Sequence, residues 1–222
     1  MSGRRTLAAA AAAMGLLAAA GRAATPEPRL AVFYIEASPA KAAAVAKALD
    51  AEARAARDAG AAAAETLREA GRPGRMALVE QWPDLSQAEA SRRARALASA
   101  LAPDLQAGVD DRLNDPVAPL PGKPAPAGAV HVLMHIDVVP DGAAAVRQAL
   151  VEQAASVMAA PGALGFQAAS EVGRPNHFAV HQAWKSRAAY EAYAASPAGQ
   201  ALRRKLDPFK GAPFDDRIYA LK

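Results

Sequence analysis

The chain contains no cysteine. That excludes disulfides, thiolate metal sites and cysteine nucleophiles together. Aromatic residues make up only 5% of it, so any site that stacks a ring must draw on a few positions, with Trp82 and Trp184 foremost. No cluster of Lys and Arg interleaved with aromatics occurs, which sets nucleic-acid binding aside. Long apolar runs are missing too. The longest, Leu7 to Ala20, falls short of the roughly 20 residues that a spanning helix needs. It follows Arg4-Arg5 and precedes Gly21-Arg22-Ala23-Ala24. A charged start, a short apolar middle and a small-residue exit read as a secretory signal peptide over residues 1–24, so the chain is expected to be exported, periplasmic or secreted. The paired arginines also suit twin-arginine export. Without Arg4, Arg5 and Arg22 the formal net charge falls from +4 to +1.

What the sequence does hold is a copy of itself. Gly173-Arg174-Pro175-Asn176 is turn chemistry, and the next residues alternate His177, Ala179, His181, Ala183 against Phe178, Val180, Gln182, Trp184, the period of a strand. The same phrase stands 102 residues earlier, where Gly71, Arg72, Pro73, Ala77 and Trp82 recur. The copies keep step elsewhere. Pro39 and Pro140 close the first strands at a spacing of 101, and Asp110-Asp111-Arg112 returns as Asp215-Asp216-Arg217 at a spacing of 105. Such anchors mark a tandem duplication with one short insertion in the last helix of the second copy.

In chain order, 30–37 is a strand, 41–57 a helix, 61–69 and 76–82 strands, 86–101 a helix and 109–113 a closing strand. By propensity alone 61–69 is helical, but it aligns without a gap on Gly162 to Gln167 and beyond, poor helix material, and is therefore expected to be a strand. Five prolines between Asn114 and Gly128 predict a stiff linker over 115–128 that holds neither a helix nor a central strand. The second copy repeats the order: strand 130–138, helix 142–158, a hairpin, a helix over 186–206 broken near Ser196-Pro197, and a strand at 215–219. Residues 29–114 and 129–222 thus each read β-α-β-β-α-β, a ferredoxin-like α+β unit. Each unit leaves one sheet face bare. Two units packed sheet to sheet as a fused dimeric α+β barrel cover both faces, and a ligand cavity is expected between them.

The second copy resembles the antibiotic biosynthesis monooxygenase family from Val130 to about Leu221. The resemblance rests on Val130-His131-Val132-Leu133, the Arg174-Pro175-Asn176-His177-Phe178 turn, Trp184, Ala195-Ser196-Pro197 and Asp216-Arg217-Ile218-Tyr219. The first copy is similar in a divergent form, with Glu80-Gln81-Trp82 matching the family's Glu-x-Trp strand end. The resemblance implies an internal pseudo-dimer that oxidises a quinol or a polyketide-like aromatic with O₂ and no metal or flavin. Haem is the other ligand that relatives take. An exported module that binds a small apolar or haem-like ligand without turnover is the alternative function.

All four histidines lie in the second copy. Cofactor-free oxygenation needs a base and a dry pocket, so His177 and His135 are candidate bases and Asn176 a candidate donor to a phenolate or carbonyl oxygen. Trp184, Phe178, Gln182, His131, His181, Trp82 and Glu80 are the candidate substrate-binding residues. The first copy carries Gly74-Arg75 where the second has Asn176-His177, and Gln182 replaces the family's Glu, which removes an ionisable group. No metal is expected, because two histidines four apart on a strand are about 13 Å apart. Only a cross-strand histidine pair with Asp137 would make a metal site.

Overall fold

A computed structural model describes residues 28–84, 86–90, 96, 99–119, 125–126, 128 to 220. The export signal expected over 1–24 and much of the helix expected over 86–101 lie outside these residues. Helical backbone is described at 96 and 99–101.

The first half gives β1 (Arg29–Glu36), α1 (Ala42–Asp58), β2 (Ala63–Glu69), β3 (Arg75–Trp82) and β4 (Asp110–Pro119). The second gives β5 (Val130–Asp137), α2 (Ala143–Met158), β6 (Ala163–Glu171), β7 (Arg174–Trp184), α3 (Arg187–Ala195), α4 (Pro197–Leu206) and β8 (Asp215–Ala220). Residues 63–69 are a strand, as the repeat predicts against propensity. Gly71 and Gly173 carry φ of +79° and +80° at the two hairpin turns, where a side chain would be strained. Ser196 caps α4 by accepting from the Gly199 N–H at 3.2 Å, which explains the helix break the sequence predicts there.

The eight strands close into one antiparallel barrel, β1-β3-β2-β8-β5-β7-β6-β4. Within each half the order is that of a ferredoxin-like sheet. The halves meet along two seams. At one, β2 pairs with β8 at Arg68↔Ala220 and Glu69↔Tyr219. At the other, β4 pairs with β6 from Asn114↔Glu171 to Pro119↔Gln167. This second seam corrects the linker expectation, since Asp115 to Pro119 is strand and holds the halves together. The prolines are tolerated because β4 loses its β1 partner after Leu30↔Asn114. From there it is bonded on one side only, with a register shift between Pro116 and Ala118.

Strand alternation sorts the core into three layers. Ala31, Phe33, Met76, Leu78 and Trp82 pack under α1. Val132, Met134, Ile136, Phe178, Val180 and Trp184 pack under α2 to α4. Leu30, Val32, Tyr34, Leu67, Val79, Leu133 and Tyr219 fill the barrel interior. An eight-stranded barrel is just wide enough for side chains to fill, so the interior is a packed core and not the open cavity expected between the sheets. Each fully buried large side chain there contributes about 1.5–3 kcal/mol of transfer free energy. No described helix is long and apolar enough to cross a membrane.

Candidate functional site

β5 and β7 run antiparallel in a register that sets Leu133 opposite His181, His135 opposite Ala179 and Asp137 opposite His177. All four histidines therefore share the face that points into the barrel, in two pairs, as their positions on the strands predict.

The inner pair is buried, with His131 2% and His181 8% exposed. The rings stack at 5.1 Å, and His131 Nδ1 lies 2.8 Å from His181 Nε2. His181 Nδ1 is 3.3 Å from Gln167 Oε1. Since an amide oxygen only accepts, His181 donates through Nδ1 and His131 donates to His181 Nε2, with both rings neutral. Burial pushes His131 down to about 4 and His181 down to about 3, the latter helped by its neighbour. This pair is a buried core contact out of a substrate's reach, with His131 Nε2 left without a hydrogen-bond partner. It also makes the fold acid-sensitive. Below the ordinary histidine pKa of about 6.5 the unfolded chain takes up protons that the folded pair refuses, so stability is complete above that pH and is lost as pH falls toward 4. Each histidine costs roughly 1.4 kcal/mol per pH unit in that window. Urea midpoints measured from pH 7 to 4.5 should fall, and the fall should be flatter in His131→Leu/His181→Leu.

The outer cluster lies at the end of the same strands. His135 Nε2 is 2.6 Å and His177 Nδ1 2.8 Å from a single oxygen, Asp137 Oδ1. The Arg112 guanidinium, from β4 of the other half, stands 2.6 Å from His135 Nδ1 and is held by Asp110 at 2.9 Å. Glu171, at the end of β6, is 3.8 Å from Arg112 and 3.9 Å from His177. Burial and Arg112 hold His135 below the ordinary histidine range, with Asp137 pulling the other way. Arg112 and Glu171 also wall a cavity of about 270 Å³ where β6 leaves β4, whose apolar sides are Ala31, Phe33, Leu113 and Val172. That volume holds one substituted aromatic ring.

The first half carries a different cluster in the same place. At the matching positions Glu36 pairs with Arg75 at 3.1 Å, and Arg75 lies 3.8 Å from Glu69. Tyr34 stands where the second half has His135, between Arg112 and Arg217, whose guanidinium carbons are 5.8 and 5.0 Å from its ring centre. A guanidinium cannot give up its proton, so Arg75 cannot act as the base that the imidazole of His177 offers, and only the second half has imidazoles in this cluster.

The remaining sequence candidates are elsewhere, and this corrects their grouping with the histidines. Trp184, Phe178 and Gln182, like Trp82 and Glu80, point outward under the helices, because they occupy the alternate positions of β7 and β3. Trp184 Nε1 donates to Gln182 Oε1 at 3.0 Å, and Trp82 Nε1 to Glu80 Oε2 at 2.9 Å, one device used twice. Beside Gln182, Met134, Tyr190, Tyr193 and Leu202 enclose a cavity of about 30 Å³, room for a single water and not an aromatic ring. Asn176 donates one amide N–H to the Val138 carbonyl at 2.8 Å and fastens the turn. Arg112 and Glu171 were missed as site residues. Their signal was in the repeat, as Arg112 recurs in Arg217 and Glu171 in Glu69.

Comparison with known proteins fits this geometry. Residues 28–102 and 129–205 each match the model of a family described as antibiotic biosynthesis monooxygenase. No curated protein sequence matches the chain. Among solved structures, a candidate monooxygenase from Lactobacillus acidophilus is 12% identical with a TM-score of 0.70, over 87% of this chain and 93% of that one. A second candidate monooxygenase, from Fusobacterium nucleatum, is 12% identical with a TM-score of 0.72, over 88% and 92%. An anthrone oxidase-like protein is 15% identical with a TM-score of 0.65, over 89% and 92%. At these identities the likeness is one of fold.

Proposed function

Since the chain belongs to the antibiotic biosynthesis monooxygenase family, we propose that it oxygenates a small electron-rich aromatic, a quinol or polyketide-like phenol, at the outer histidine cluster. One observation carries this reading: two imidazoles, a carboxylate and a guanidinium converge behind the wall of a cavity that holds one ring. Phe33 and Leu113 give the ring an apolar bed. Arg112 neutralises the phenolate oxygen, and Glu171 on the cavity wall hands the proton to His177, which Asp137 orients.

The anion then gives one electron to O₂, and the two radicals combine at carbon. The peroxide loses water to leave a carbonyl. One oxygen atom enters the product, the other leaves as water, and the substrate supplies all the electrons, so no outside reductant is consumed. Neither flavin nor metal is required by this sequence of steps. O₂ uptake with a panel of hydroquinones and anthrones tests the reading. Saturable uptake with one mole of product per mole of O₂ supports it. Binding of these compounds without uptake favours the exported, non-catalytic module instead. Export belongs to the same proposal, and its readout is the N-terminus of the mature protein, expected after residue 24.

A further inference from the structure

The outer cluster has a property that its use as a base does not need. His135 and His177 approach one oxygen, Asp137 Oδ1, at 2.6 and 2.8 Å. Among the described residues Asp137 Oδ1, His177 Nδ1 and Glu171 Oε2 are all buried atoms with no hydrogen-bond partner. Orphaned acceptor atoms grouped in one spot are costly in a protein on its own. A shared cation would satisfy all three at once.

We propose that His135, Asp137 and His177 form a binding site for a first-row divalent metal ion such as Zn²⁺, Co²⁺ or Fe²⁺, with Glu171 as an outer carboxylate. Each of the three offers one ligating atom, and these atoms all lie within 4.8 Å of one another. Bonds of about 2.1 Å in a tetrahedral site set neighbouring ligands about 3.4 Å apart, so the 2.6 and 2.8 Å separations seen here widen by about 0.6–0.8 Å when an ion enters. Two imidazoles and a carboxylate are a set that favours transition metals over Mg²⁺ or Ca²⁺. The three side chains are half-buried, so an ion and its remaining waters can enter.

The local charge permits it. Asp137, Glu171 and Asp110 stand against the guanidinium groups of Arg112 and Arg174, the latter 3.7 Å from Glu171, while Arg217 is paired with Asp215 at 2.6 Å. Arg112 is the obstacle, since it lies 2.6 Å from both ring nitrogens of His135, including the Nε2 that faces Asp137, and a bound ion displaces it toward Asp110 and Glu171. The nearby group of Glu65, His131 and His181 is geometrically similar, but both His181 nitrogens and His131 Nδ1 are engaged with each other and Gln167, which leaves His131 Nε2 as its one orphaned imidazole nitrogen, so it is the comparison site and not the proposal.

A consequence deepens the proposed function and rests on it. The lone pairs that ligate the metal are those that would accept the substrate's proton. Metal binding and proton removal therefore exclude one another at this cluster, and Zn²⁺ acts as an inhibitor of oxygenation.

Co²⁺ titration of the metal-free full-length protein, followed by visible absorption and calorimetry, tests the site without reference to activity. One equivalent is expected at micromolar affinity, with the spectrum of a nitrogen- and oxygen-ligated ion. Asp137→Asn and His177→Ala should each weaken binding at least tenfold, Arg112→Gln should tighten it, and His131→Leu/His181→Leu should leave it unchanged. Circular dichroism identifies any variant that fails to fold, and His135→Gln replaces it in the series. Absence of saturable Co²⁺ binding, or binding that survives His177→Ala but not the inner-pair variant, overturns the site. Where Co²⁺ binds and Zn²⁺ leaves O₂ uptake unchanged, the exclusion is wrong and the metal site stands. Where no aromatic supports O₂ uptake, the proposed function fails alone.

Discussion

His177→Ala is expected to lower O₂ uptake with a phenolic substrate by about 10²–10⁴-fold, the range lost when a positioned base is removed. His177 is half-buried at the end of β7, its ring nitrogen 2.8 Å from Asp137. The change removes a group beside the cavity wall without opening the core, so the urea midpoint should move little. Asp137→Asn should cost less, because the imidazole remains and only its orientation is lost. In the first half, Arg75→Ala removes the matching side chain and should leave turnover unchanged. Rates that survive His177→Ala, or that fall equally with Arg75→Ala, refute the assignment of the second half as the competent one.

Trp184→Ala should do the reverse. Trp184 is fully buried, with its ring centre 5.1 Å from that of Tyr193 and 6.1 Å from that of Tyr190, and its indole N–H donates to Gln182. Removing so large a side chain leaves a cavity and an orphaned amide, a loss of about 3–5 kcal/mol. For a chain of this size that is on the order of 6–20 °C in Tm. The folded fraction should still turn over, because the indole and the histidines are on opposite faces of one strand. Unchanged stability with lost activity would return Trp184 to the role of a ring-stacking residue.

These two residues show how far the sequence carried. Alternation along β7 was legible, and it already put His177 and Trp184 on opposite faces. What it could not say was which face the substrate meets, since both faces of each sheet are covered, one by helices and one by the other half. The strand at 63–69 was legible only through the duplication, as Ala, Glu, Leu and Arg there favour a helix. The extension of β4 to Pro119 was hidden by its prolines. Whether a proline interrupts a ladder depends on which side of the strand is paired, and β4 has a partner on one side only beyond Asn114. Arg112 reaches His135 across the seam between halves, a contact that no spacing within either half encodes.

The whole account depends on the two halves closing a single barrel. Leu30, Val32, Leu67 and Val79 from one half and Leu133 and Tyr219 from the other share the interior, and Arg112 enters the histidine cluster only across that closure. The most direct test is a protease site placed between Pro119 and Gly128 and cut in the folded protein, followed by size-exclusion chromatography with light scattering. The cut chain should elute as one particle of unchanged mass and keep its near-ultraviolet dichroism. Two separate folded halves in the eluate would contradict it.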